Sequence, residues 1–239
     1  MPHTDINLSN PGELSIMADH ISPDDLRFFD RNDDFEISFS RLPHWSQPGT
    51  VAFITWRTAD SMPRDVLEQW IIERDSIVQQ NALDPASDWR SALNRLPAGH
   101  RMKIKWDLIA RFDGHLDKCH GACPLKDAGL AQIIADSLNA FEGERYVLTD
   151  FVIMPNHVHL MAAFSTPEMM RSQIAGWKRF QARQINTALE RSGHFWQEDD
   201  FDHLVRSESQ FLYYRKYIAD NPRKARLKPG EFLHWSREL

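Results

Sequence analysis

Phe151-Val152-Ile153-Met154-Pro155-Asn156-His157-Val158-His159-Leu160 is the stretch on which the fold turns. From Tyr146 to Ile153, and again from Val158 to Phe164, the chain is rich in branched and aromatic residues, and the Pro-Asn between them is turn chemistry. This predicts an antiparallel hairpin. Side chains alternate along a strand, so His157 and His159 share one face while Val158 and Leu160 take the other. Two imidazoles side by side on a stiff strand make half of a metal site, and equally two half-buried sheet histidines. A third ligand has to decide between these readings.

Working outward, a chain of 239 residues with 42% hydrophobic and 26% charged residues has the composition of one well-cored domain with room for a long insertion. No apolar run approaches the ~20 residues that span a bilayer. The N-terminus has no basic region leading into an apolar one, so the expectation is a cytoplasmic protein with no membrane partner. Cys119 and Cys123 are too sparse to complete a metal clip and are expected to be reduced thiols.

The net charge of -6 is unevenly spread. Residues 1–45 carry nine acids against three bases and few aliphatic side chains, which predicts a loosely ordered acidic arm. Residues 171–228 carry twelve Lys/Arg against seven Asp/Glu. A locally basic half is compatible with a polyanion partner, because phosphate neutralisation is local.

Past the arm, one domain is expected over 46–236. Val51 to Trp56 reads as a strand, and Pro63 opens a helix capped by Asp60 or Ser61, with Val66, Leu67, Trp70, Ile71 and Ile77 as its core stripe. Residues 83–126 read as an insertion of one or two helices plus a loop, broken at Pro97-Ala98-Gly99. Leu130, Ile133, Ile134, Leu138 and Phe141 mark an amphipathic helix before the hairpin. After it, a helix from Thr166 to about Arg191 buries Met170, Ile174, Trp177 and Ile185 and turns Arg171, Lys178, Arg179 and Arg183 the other way. Such a face is often merely solvated, but this one carries no acid from Arg171 until Glu190, which suits a phosphate backbone. A short strand from Phe201 to Arg206 precedes a last helix capped by Ser207 or Ser209 and closed by Asn221-Pro222, with Arg223 and Lys224 just beyond.

Tyr217 and Asn221 are four residues apart on that helix and stack on one face. If that face meets the histidines, His157, His159 and the Asn221 amide oxygen make three neutral ligands for a divalent ion. Tyr217 then stands one turn away, placed for attack on phosphorus. A free phenol ionises near 10, so it needs a cation or a base to become a nucleophile. Tyr213, one turn back on the same face, is read as core packing or as a platform for an unpaired base.

Here the sequence resembles the single-tyrosine His-hydrophobic-His transposases, most closely the bacterial REP-associated tyrosine transposases. The matching segments are Phe53-Ile54-Thr55-Trp56-Arg57-Thr58-Ala59-Asp60-Ser61-Met62-Pro63, Gly121-Ala122-Cys123, Val152 to Leu160, Trp177-Lys178, Phe195-Trp196-Gln197 with Phe201-Asp202, and Tyr217-Ile218-Ala219-Asp220-Asn221-Pro222-Arg223-Lys224-Ala225. They run in order over roughly 47–236. The resemblance implies an α+β fold, a central antiparallel sheet of ferredoxin-like topology flanked by helices. It implies a covalent 5′-phosphotyrosine intermediate on single-stranded, hairpin DNA of repeated palindromes. By position, Tyr217 is the nucleophile and His157, His159 and Asn221 hold the metal; ligands of this kind suit Mn²⁺ as readily as Mg²⁺. The charge pattern, and not the resemblance, puts Arg171, Lys178, Arg179, Arg183, Arg223 and Lys224 forward as DNA contacts. It also implies a monomer, with a dimer the alternative. Arg226 stands where the family commonly has glycine, and Pro124 where it commonly has tryptophan. A domesticated relative that binds nucleic acid without cutting it is the competing reading.

Overall fold

The computed structural model describes residues 21–39 and 43–238. A small hairpin of β1 (Glu36–Phe39) and β2 (Pro43–Ser46) leads into β3 (Val51–Arg57), followed by α1 (Arg64–Gln80), α2 (Trp89–Arg95), α3 (Ala98–Leu116) and α4 (Ala128–Asn139). Then come the predicted hairpin, β4 (Tyr146–Ile153) and β5 (His157–Phe164), the long α5 (Pro167–Ala188), β6 (Phe201–Leu204), α6 (Glu208–Lys224) and β7 (Leu233–Ser236).

The main sheet has the order β6-β3-β5-β4-β7, with every neighbouring pair antiparallel. Strand, helices, hairpin, helix and strand along the chain, laid down in the spatial order β6-β3-β5-β4, make the ferredoxin-like α+β arrangement, and β7 adds one strand beside β4. The sheet is covered on both sides, so β4 and β5 are buried along their whole length. That is why β5 reads as nearly continuous apolar sequence, with the histidines as the exception.

One face packs on α4 and α5. Ala52, Ile54 and Trp56 of β3 and Val158, Leu160 and Ala162 of β5 meet Leu130, Ile134 and Leu138 of α4 and Met170, Ile174, Trp177 and Ile185 of α5. The α5 stripe is the one the periodicity marks. Its Trp177 indole donates to Ser137 O at 3.0 Å, and the Tyr146 hydroxyl donates to Leu138 O at 2.8 Å, so the large aromatics are anchored as well as buried. The other face packs on α6: Phe53, Val152, Met161 and Ala163 meet Phe211, Tyr214 and Ile218. Arg215 ties α6 down further, its Nε donating to the buried Asp150 carboxylate at 3.1 Å.

Several local expectations are corrected. The N-cap of α1 is Pro63 itself, with no side-chain cap; Asp60 instead accepts the Ala122 amide at 2.8 Å. In α1 only part of the apolar stripe is core: Val66 and Ile77 are buried, whereas Leu67 and Ile71 stay 40% and 37% exposed. The helix packs on α3, whose Leu116 and Phe112 meet Met62, Val66 and Trp70, and a single helix covers a narrower stripe than a sheet does. The expected break at Pro97-Ala98-Gly99 narrows to Leu96 and Pro97, because α3 already begins at Ala98 with Pro97 as its N-cap. Pro222 does not close α6, which runs on to Lys224. The proline forfeits one amide donor near the end of the helix, and the buried Ile218 and Asn221 hold the backbone helical around it. The chain then leaves through Arg226, in the left-handed region at φ 56°.

Of the expected acidic arm, residues 1–20 and 40–42 lie outside the described residues. The part that is described packs on the domain, because it has apolar side chains to bury and backbone partners to meet. Ile21 is buried against the α6-face core, Phe29 N donates to Val205 O at 2.8 Å, and His44 bonds Asp202 of β6.

Candidate functional site

β5 carries His157 and His159 on the α6 face, both fully buried, with ring centroids 4.6 Å apart. Each ring is held by its Nδ1. His157 Nδ1 lies 2.7 Å from Asn156 Oδ1, and His159 Nδ1 lies 2.7 Å from Thr55 Oγ1 on the paired strand β3. With the proton on Nδ1, each Nε2 presents a lone pair, and neither Nε2 has a hydrogen-bond partner.

A carboxylate faces them. Asp117, at the C-terminal end of α3, has its Oδ1 3.9 Å from His157 Nε2. One ligand atom from each of Asp117, His157 and His159 lies within 4.8 Å of the other two. Asp117 is brought there by the loop that follows it. Asn156 Nδ2 donates to His120 O at 3.0 Å, Leu125 N donates to Pro155 O at 3.1 Å, and Ala122 N reaches Asp60, so residues 120–125 are stitched to the hairpin turn and to the end of β3. Gly121 is required in that loop. It sits at φ +88°, where a Cβ would lie 2.6 Å from Asp60 O.

From the third direction comes α6. The Tyr217 ring packs edge-on to His159 with centroids 5.3 Å apart, and its hydroxyl donates to Asp113 Oδ2 at 2.9 Å. Asp113 lies one turn before Asp117 on the same face of α3. Lys224 Nζ stands 4.5 Å over the Tyr217 ring. Asn221 is fully buried beside Asp117, and neither its amide oxygen nor its nitrogen has a hydrogen-bond partner of proper geometry.

Burial dominates the electrostatics. It pulls His157 down to about 3 and His159 well below its ordinary value, the second helped by His157 and Lys224, so both rings are neutral, the form that binds metals. Burial also raises Asp117 to about 6, against the opposing pull of Lys224, and Asp113 to about 7, against its bond from Tyr217. The Tyr217 phenol is pushed up by burial and then by the Asp113 and Asp117 charges, so forming phenolate here needs added positive charge or a proton acceptor.

The unpaired polar atoms are the test of whether a cation fits. His157 Nε2, His159 Nε2, Asp117 Oδ1 and the Asn221 amide are all buried and unpartnered, in one place. Each would cost about 1–3 kcal/mol if left so. Nitrogen and oxygen donors of this kind suit a borderline or hard divalent ion.

The structure thus brings His157, His159, Tyr217 and Asn221 together and adds Asp117 and Asp113, which sequence reasoning missed. Two acids four apart on a helix are ordinary surface chemistry, and nothing nearby in sequence marks these two. The basic residues mostly lie elsewhere. α5 is on the opposite sheet face from Tyr217, Arg171 is paired with Glu36 and Glu168, and Lys178 bonds Asp200. Glu36 and Asp200 come from distant segments, which the charge pattern along the helix does not reveal, whereas Glu168 stands on the helix itself, three residues before Arg171. Arg179 and Arg183 are exposed, Arg223 pairs with Asp220 at 3.6 Å, and Lys224 alone of the six stands over the tyrosine. Tyr213 is not core: it is 53% exposed and stacks on Tyr217 with centroids 6.4 Å apart. Cys119 and Cys123 are free thiols. No helix among the described residues is long and apolar enough to cross a membrane.

No family model matches the chain. An uncharacterized protein of Haemophilus influenzae is 30% identical over 96 residues, which cover 31% of this chain and 53% of that protein. The chain therefore spans about half the length of the curated relative it matches. Among solved structures the chain is similar to a REP-associated tyrosine transposase bound to a REP hairpin, at 12% identity and a TM-score of 0.38, over 84% of this chain and 93% of that one. It is also similar to a candidate transposase of Deinococcus radiodurans, at 14% identity and a TM-score of 0.25, over 72% and 89% of the two chains.

Proposed function

We propose that this protein is a transposase-type strand transferase that cuts and rejoins single-stranded, hairpin-forming DNA through Tyr217, with a divalent ion, Mg²⁺ or Mn²⁺, held by His157, His159 and Asp117. One observation carries the reading. A half-buried tyrosine, its hydroxyl bonded to a carboxylate that can receive the proton, packs against His159, one member of a cluster of unpartnered metal-ligand atoms. The ordered motif resemblance over 47–236 supports hairpins of palindromic repeats as the substrate.

A divalent ion bound at that cluster supplies positive charge for the phosphate oxygens, for the leaving oxygen and for the phenolate. The chain's own residues do the rest. His157 and His159 are fixed in one orientation by Asn156 and Thr55, and Asn221 offers a further neutral oxygen beside Asp117. Tyr217 Oη forms a bond to phosphorus as the bond from phosphorus to the 3′-oxygen breaks. The phenolic proton passes to Asp113 Oδ2, and the 3′-oxygen takes a proton from water. The products are a 5′-phosphotyrosine and a free 3′-hydroxyl, and the reverse reaction rejoins a strand. Lys224, over the ring, adds charge beside the phosphate.

Incubation with labelled hairpin DNA and Mn²⁺ is expected to give an adduct that survives SDS, in wild type and in Tyr213→Phe, and none in Tyr217→Phe. An adduct that persists in Tyr217→Phe overturns the assignment. Strand cleavage that persists without an adduct would make water the nucleophile. DNA binding unaffected by EDTA, with no cleavage of any hairpin, would favour the non-cleaving reading.

A further inference from the structure

A cleft of about 310 Å³ lies between α2, α3 and the β6 edge of the sheet, on a part of the molecule that the chemistry above does not use. Its size is in the range of small-molecule sites. Trp106 and Phe201, both half-buried, line it with aromatic surface over the buried Trp89 and Tyr214, and Lys105 and Arg206 stand at it. Arg101 is close enough to both cations to depress Lys105 and Arg206 further, after burial. No carboxylate pairs with Lys105, Arg101 or Arg206 among the described residues: Arg101 donates to Asn94 O and Arg206 to Met102 Sδ. The acids that do line the cleft are engaged elsewhere, Asp200 by Lys178 and Asp202 by His44. The cleft therefore combines ring faces with mutually repelling cations that only an external anion would relieve. It is also connected to the site. Trp106 packs edge-on to Tyr213 at 5.7 Å, and the exposed Tyr213 stacks on Tyr217 at 6.4 Å.

We infer that this cleft binds a nucleotide of the unpaired strand flanking the hairpin, the base between the aromatic walls and the phosphate at Lys105 and Arg206. The inference rests on the proposed function for the identity of the strand. Stacking on aromatic rings beside a basic groove is how unpaired strands are held without base-specific contacts, and Tyr213 continues the platform toward the reacting phosphate.

The test measures binding by fluorescence anisotropy with Mg²⁺, using Tyr217→Phe full-length protein so that no covalent product forms. Two hairpins of the same stem are compared, one with a single-stranded flank and one without. Trp106→Ala is expected to weaken binding of the flanked hairpin about tenfold, the loss of one stacked base. Lys105→Glu, at an exposed side chain that leaves the core untouched, is expected to weaken it and flatten its salt dependence. Binding of the bare hairpin should stay within about twofold of the parent in both variants. Equal losses on both DNAs, or none on either, overturn the inference. If both hairpins bind alike and both variants are silent while wild type still forms its adduct, the cleft alone is misassigned. If no hairpin binds at all, the proposed function fails first.

Discussion

Along β5, Val158, Leu160 and Ala162 point toward α4 and α5, while His157 and His159, one residue over, point toward α6 and the end of α3. The backbone and the burial are the same on both sides of the strand. What differs is whether the buried atoms are finished with. On the α4/α5 face, unpartnered polar atoms are scattered, among them Trp56 Nε1, Trp196 Nε1 and Gln181 Oε1; on the α6 face, Asp150 Oδ2 apart, they gather at one point. Scattered vacancies are ordinary wear in a core, whereas a cluster of convergent lone pairs is built to be filled from outside.

This contrast can be broken from either side. The largest effect is expected on the apolar face. Leu160→Ala should lower stability by about 2–5 kcal/mol in urea denaturation, the cost of a cavity in a closed core. The variant should still gain stability when Mn²⁺ is added. If it loses that gain, the faces are not independent. On the other face, a divalent ion at a hundred times its dissociation constant should add about 2.7 kcal/mol to wild type, and EDTA should remove it. His159→Leu should abolish that gain. Calorimetric titration should also show uptake weakening as pH falls through about 6, because the ion needs the ionised carboxylate and burial raises Asp117 to that value. Uptake that is flat down to pH 4 would remove Asp117 from the ligand set. The smallest effect is expected where neither face is involved. Arg226→Gly relieves a left-handed backbone at the end of α6 and should stabilise by about 1 kcal/mol, read as a raised melting temperature with ion binding unchanged.

Much of the apolar face was legible in the sequence, because periodicity reports burial directly. The hairpin, the alternation along β5 and the α5 stripe all follow from which residues are branched or aromatic and how they are spaced. The polar face was half legible. His157, His159 and Tyr217 stand in local patterns that carry their own geometry. Asp113 and Asp117 do not: they are forty residues or more from His157 and about a hundred from Tyr217, and only the packing of α3 turns them inward. The same limit explains Arg171 and Lys178. A charge pattern along one helix says which side is wet, not which acids from other segments will meet it. Pro222 was misplaced for a related reason, since a local rule about proline yields when the residues before it are locked into a core.

Asn156 shows how closely shape and chemistry are bound in this molecule. It sits in the reversal between the two central strands, its nitrogen reaches the loop carrying Asp117, and its oxygen orients an imidazole. A replacement that merely reversed the chain, such as glycine, would spare the architecture and yet leave one ring free to rotate and one loop unmoored. Damage at this residue should therefore look like good folding with poor aim.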